Sequence, residues 1–142
     1  MSTSMSLAER EQFLAGVHVG VLSVAAGGGA GPLTVPVWYT YEPGGVVTLT
    51  TGRTTRKAVA IGAAGRFSLC AQDEQPPYKY VTVGGPATIE AATPEERLAL
   101  ARRYLGRQGG DAYIAAEAGG AADSVAIRLT PEHWLAADFS QP

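Results

Sequence analysis

Residues 46–72 read VVTLTTGRTTRKAVAIGAAGRFSLCAQ, and this stretch decides the fold class. Val46 to Thr51 is rich in β-branched residues, which predicts a strand. Thr54 or Thr55 then stands where a helix wants its N-cap, the chain through Ala63 is rich in Ala, and Gly65 lies just past its end. Arg66 to Gln72 returns to a period of two, with Phe67, Leu69 and Ala71 on one side. A strand, one short capped helix and another strand follow each other without a long connection. The same stretch has no Asp or Glu yet carries Arg53, Arg56, Lys57 and Arg66, so it is strongly basic inside a chain of net charge -2. Thr50, Thr51, Thr54 and Thr55 interleave with three of those cations at the helix start. Free N–H groups at a helix N-terminus, next to Arg and Lys, suit a phosphate. A solvated basic turn is the plainer reading of the same residues.

Working outward, Ser6-Leu7-Ala8-Glu9 has capping-box spacing and predicts a helix from Leu7 to Gly16. Leu7, Phe13, Leu14 and Val17 give it an apolar face, and residues 1–5 before it read as a frayed polar end. From His18 to Val24 the period is two. Gly27 to Gly31 reads as a mobile turn, Leu33 to Tyr41 as a strand, and Pro43-Gly44-Gly45 as another turn. With Val46–Thr51 these predict a three-stranded antiparallel meander. Pro36 marks a kink or an unpaired edge, and Trp38 and Tyr39 point to opposite faces. Beyond residue 72, Tyr78 to Glu90 reads as a long strand in which Gly84-Gly85-Pro86 predicts a bulge or bend. Thr93-Pro94-Glu95-Glu96 opens a helix that runs to Leu105 and stops at Gly106. A second helical piece is expected from Asp111 to Ala118, ended by Gly119. Val125 to Leu129 is a strand, and His133 to Phe139 extends it after Pro131. About six mostly antiparallel strands with peripheral helices indicate one small closed barrel spanning 1–142, not a doubly wound sheet.

Composition narrows the function. At 142 residues, 46% hydrophobic and 17% charged, the chain has matter for one packed core and is not a disordered polyelectrolyte. Its slight negative charge gives no reason to expect nucleic acid. The lone Cys70 excludes an intramolecular disulfide, fits a reducing cytoplasm, and is expected as a buried inert thiol within its strand. No apolar run is long enough for a membrane span, and no basic-then-apolar leader opens the sequence. His18 and His133 have no Cys or carboxylate at zinc-ligand spacing, so no metal is expected. There is no GxSxG elbow, and the glycines at 27–31 fit neither a P-loop nor a dinucleotide fingerprint.

Taken in order, these pieces resemble the pyridoxamine-phosphate-oxidase-like, FMN-binding split-barrel superfamily. The residues that carry the resemblance are Thr50-Thr51, Arg56-Lys57 opening a helix, Arg66-Phe67-Ser68-Leu69, and Val35-Pro36-Val37-Trp38. Pro36-x-Trp38 and the strand Tyr80-Val81-Thr82-Val83-Gly84-Gly85 look most like the branch that uses the deazaflavin coenzyme F420. The resemblance implies that Arg56 and Lys57 clamp the cofactor phosphate with Thr50 and Thr51, and that Val35, Pro36, Val37 and Trp38 run along the ring system. Arg53 and Lys79 would meet an acidic tail. It also implies a cytoplasmic homodimer with each site at the interface, and hydride transfer to a small organic acceptor without an evident catalytic side chain. An FMN-dependent oxidoreductase and a flavin-, deazaflavin- or haem-binding protein without turnover are the other readings. Pyridoxamine oxidation is disfavoured, because Ile127-Arg128-Leu129-Thr130 holds no Arg-x-His pair for a substrate phosphate.

Overall fold

Ser6 begins the first helix as its capping box requires: its hydroxyl accepts from the Glu9 N–H, and the Glu9 carboxylate accepts from the Ser6 N–H. The computed structural model describes residues 2–117 and 122–140. Along that chain lie α1 (Leu7–Leu14), β1 (Gly20–Val24), β2 (Leu33–Val37), β3 (Val47–Gly52), α2 (Arg56–Ala64), β4 (Arg66–Asp73), β5 (Lys79–Ala91), α3 (Pro94–Ala116), β6 (Ser124–Leu129) and β7 (His133–Asp138). The protein is mainly β: an antiparallel sheet curls into a half-barrel that carries the three helices. Strand order is β2-β1-β4-β5-β6-β3, with β7 added to β5. Alternate residues of β1, β3, β4 and β5 fill the interior, among them Leu22, Leu49, Leu69, Val81 and Val83, and Ile127 joins them from β6.

β5 is the hub. One edge pairs with β4 in unbroken register from Lys79↔Asp73 to Pro86↔Arg66. The other edge pairs with β7 over 79–84 and with β6 over 87–91. The β4 ladder runs straight through Gly84-Gly85-Pro86, so there is no bulge on that edge. What these residues mark is the change of partner. The Thr130 N–H donates to the Pro86 carbonyl and the Glu132 N–H to the Gly84 carbonyl, bringing the β6–β7 connection against β5. A Cβ at position 85 would lie 1.9 Å from the Thr130 carbonyl oxygen, so only glycine admits that approach.

Four other expectations need correction. β3 does not complete a meander with β1 and β2; apart from the isolated bridge Thr40↔Thr48, it pairs with β6. The break falls after Val37, where β2 ends at the sheet edge. Pro36, which has no N–H to offer a further strand, sits on that edge strand. On α1 the apolar face is narrower than its sequence suggests: Leu14 is fully buried, but Leu7 and Val17 are more than half exposed. The N-terminal segment is not wholly frayed. Met5 joins the core, and the Thr3 carbonyl accepts from the Asp138 N–H. Cys70, expected buried, is half-buried, because it alternates with Leu69 and faces away from the interior.

The other helix signals hold. Thr55 caps α2 and Gly65 ends it in the left-handed region. Thr93 and Glu96 form a capping box at α3 with Pro94 in the first turn. Gly106 (φ 78, ψ 172) breaks α3 where a stop was expected, but helical turns resume at once, not at Asp111. Ala118 and Gly119, where that second piece was to end, lie outside the described residues. The two halves fold against each other: Arg102 Nε lies 2.7 Å from Asp111 Oδ1, and a Cβ on Gly110 would lie 2.6 Å from the Arg102 nitrogen.

Tyr39 ties these parts together from within the core. Its ring is fully buried, and its hydroxyl donates to the Leu14 carbonyl at 2.7 Å. Burial pushes its ionisation well above the ordinary tyrosine range. Tyr39→Phe keeps the ring but leaves that carbonyl without its donor, so the expected loss of stability is about 1–3 kcal/mol. Urea unfolding checks this: the midpoint should fall with an unchanged slope.

Candidate functional site

β3 and the turn after it build one wall of an open cavity. Val47 is fully buried, while Leu49, Thr50, Thr51 and Gly52 reach an open cavity of about 820 Å³. Thr55 and Lys57 join them from the start of α2. The Thr55 hydroxyl donates to the Gly52 carbonyl (2.9 Å) and accepts from the Ala58 N–H (3.4 Å). With its single proton committed, it must accept from Thr51 across their 3.2 Å contact. Among the described residues the Thr50 hydroxyl has no protein partner. The N–H groups of Arg56 and Lys57 precede the first intrahelical bond, which runs from Val59 to the Thr55 carbonyl. A cation, hydroxyls and free backbone donors thus meet at one place. Such a donor set fits a phosphate.

The neighbouring wall is Pro36, Val37 and Trp38. Val35 is not part of it; it turns inward and packs on the core, because it alternates with Pro36. Trp38 and Tyr39 do face opposite ways. Trp38 lies parallel to Tyr104 at 5.1 Å and tilted against Tyr113 at 5.3 Å, so both halves of α3 hold it. The Tyr104 hydroxyl donates to the His18 carbonyl (2.6 Å) and accepts from the Tyr39 N–H (3.1 Å). Arg103 adds bonds to the Ala15 and Gly16 carbonyls at 2.9 Å.

The cations suggested by sequence do not all converge. Lys57 is half-buried and lines the cavity, whereas the Arg56 side chain is exposed and outside it. Arg53 pairs with Asp123 at 3.1 Å, both side chains mostly in solvent. Lys79 lies 3.6 Å from Asp138 and above the Phe13 ring, away from the cavity on the part of β5 that pairs with β7. Two of the four are thus engaged with carboxylates elsewhere.

The α3 wall was not read from sequence. Arg97, Leu100 and Ala101 line it from the first half of the helix, and Tyr113, Ile114 and Glu117 from the chain after the bend. The signal was present: Arg97, Leu100, Ala101 and Tyr104 follow the helical spacing of a buried face, and that face begins with an arginine. Burial, then a hydrogen bond to Glu117, raises the Tyr113 ionisation, so this hydroxyl keeps its proton at neutral pH. Among the described residues there is no group of three His, Cys, Asp or Glu side chains that could hold a metal. No described helix is long and apolar enough to cross a membrane.

No protein-family model matches the chain, and no curated protein matches it. Solved structures do. A conserved hypothetical protein of Mycobacterium tuberculosis superposes with a TM-score of 0.76 at 22% identity, over 99% of this chain and 91% of that one. A structure described as an F420 reductase gives 0.73 at 25% identity, over 88% of this chain and 94% of that one. An FAD-binding protein of Mesorhizobium loti gives 0.66 at 19% identity, over 94% and 93%. The chain shares its fold with these structures, and it is the fold that the resemblance in the sequence implied. Within that fold the neighbours include flavin- and deazaflavin-associated proteins.

Proposed function

We propose that this protein is an oxidoreductase that binds coenzyme F420 in the cavity and passes hydride between it and an organic acceptor, as a homodimer. The observation that carries the reading is the meeting of Thr50, Thr51, Thr55 and Lys57 at the start of α2, beside the flat wall of Pro36, Val37 and Trp38. The F420 reductase among the structural neighbours supports the choice of cofactor. When bound, F420 supplies the hydride chemistry. Lys57 and the first N–H groups of α2 hold its phosphate, and the Pro36–Val37 segment orients the ring. Trp38, pinned by Tyr104 and Tyr113, keeps water from one side of the cavity. Among the described residues no side chain stands out as a general acid. Apolar residues left on the surface, among them Val19, Leu135 and Phe139, supply area for the second subunit.

FMN is the second reading, and one observation favours it. Arg53 and Lys79, the cations suited to the long anionic tail of F420, are paired with Asp123 and Asp138 outside the cavity. Titration of the purified protein with each cofactor, followed by absorbance, separates the two. F420 should bind more tightly and lose more affinity with added salt, because its tail carries more charge. Tighter binding of FMN at both salt concentrations would sink the F420 reading.

A further inference from the structure

We propose that Arg97 is the recognition site for a carboxylate on the acceptor, which makes the acceptor an apolar organic acid; this rests on the hydride-transfer reading above. Arginine is almost never buried without a full set of partners. Arg97 is only 9% exposed, lines the cavity, and has one long ion pair, from Nη2 to Glu117 Oε2 at 3.5 Å. A guanidinium offers five N–H donors in a planar fork matched to both oxygens of a carboxylate, and a single contact of that length uses little of it. Nor are its other donors sealed in the protein: among the described residues the one buried side-chain polar atom without a partner is Arg103 Nε. They keep access to solvent, on a residue that lines the cavity.

Glu117 is the replaceable half of the pair, because its side chain is 49% exposed and water can take over its contacts with Arg97 and Tyr113 when it swings out. Around the guanidinium the same wall is apolar, with Leu100, Ala101 and Ile114. That combination receives a ligand with a hydrocarbon or aromatic body and one carboxylate, which takes the place of Glu117 on the fork. The phosphate donors Thr50 and Lys57 come from β3 and α2, not from α3. Cofactor anion and acceptor anion are therefore recognised by different elements, and the geometry gives each its own cation.

Trp38 borders this wall, so its fluorescence reports occupancy. The probes are 4-phenylbutyrate and its neutral amide, titrated into the purified protein, with F420 titrated separately by absorbance. The acid should bind more tightly than the amide. Arg97→Gln should weaken the acid about tenfold or more, to the affinity of the amide, because a hydrogen bond to a charged group is lost. Glu117→Gln should tighten the acid by removing its competitor and leave the amide unchanged. F420 affinity should stay the same in both variants. Equal binding of acid and amide by the wild type overturns the proposal, and so does an Arg97→Gln variant that loses F420 instead of the acid. Should Arg97→Gln fail to fold, Glu117→Gln decides alone: unchanged or weaker acid binding overturns the proposal. A wild type that binds the acid through Arg97 but not F420 sinks the F420 reading and leaves the carboxylate site standing.

Discussion

Gly85→Ala should leave little folded protein. The added Cβ would sit 1.9 Å from the Thr130 carbonyl oxygen and 3.3 Å from the Glu132 nitrogen, both backbone atoms. Ordinary contact needs about 3.5 Å, so this is a collision that a rotamer change cannot relieve. Nor can the connection retreat cheaply, because its Thr130 and Glu132 N–H groups are each bound to β5 at 2.9 Å. Separating the strands breaks both bonds and opens the place where β5 changes partner. The expected loss exceeds about 4 kcal/mol, a large share of the whole stability of a domain this size. Gly84→Ala is the control. Its Cβ would meet Ser68 Oγ at 3.0 Å, a side-chain atom that can rotate away, so the cost should stay under about 1.5 kcal/mol. Circular dichroism and urea unfolding of the two variants read the difference; a cooperative, near-wild-type transition in Gly85→Ala would show that the close approach is not needed.

Lys57→Ala should weaken cofactor binding by about 10- to 150-fold, whether the titrant is F420 or FMN, since both carry a phosphate. A hydrogen bond to a charged group contributes about 1.5–3 kcal/mol, and each 1.4 kcal/mol is tenfold. Lys57 is the one cation of its cluster that lines the cavity, and it does so beside the free N–H groups of α2. Arg56→Ala should cost less, because that side chain is exposed and acts on the phosphate through solvent. Stability without cofactor should change little in either variant, since no ion pair holds either side chain among the described residues. Calorimetric titration provides the numbers. Wild-type affinity in Lys57→Ala would remove the phosphate site and, with it, the main support for a flavin-type cofactor.

The helix ends were legible because capping is local. Ser6 with Glu9, Thr55 with Gly65, and Thr93 with Glu96 each settle their own few residues, and the chain follows them. Strand existence was legible for the same reason, through alternation such as Phe67, Leu69 and Ala71. Strand partners were not. Nothing near Val47 says that it will lie against Leu129, and a tight turn after β2 suggested a neighbour that the sheet does not use. The site divides along the same line. The Thr-rich start of α2 is contiguous and could be read; the α3 wall is assembled from residues on both sides of a bend at Gly106. That Arg53 and Lys79 meet Asp123 and Asp138 could not be read, because charge in a sequence says nothing of the carboxylate it will meet.

The pairing of β3 with β6 also sets a timetable for synthesis. Gly52 pairs with Ser124 and Val47 with Leu129, so β3 leaves the ribosome some 70 residues before the first residue of its partner. At about 5–20 residues per second that is roughly 4 to 14 s. Through that interval an edge rich in Thr has no native strand to bind, and such edges invite pairing with other chains. α2 and the β4–β5 hairpin can form in the meantime, because their contacts are close in sequence. The sheet is therefore completed from its C-terminal end, and crowding of nascent chains is the condition under which this protein is most exposed to aggregation.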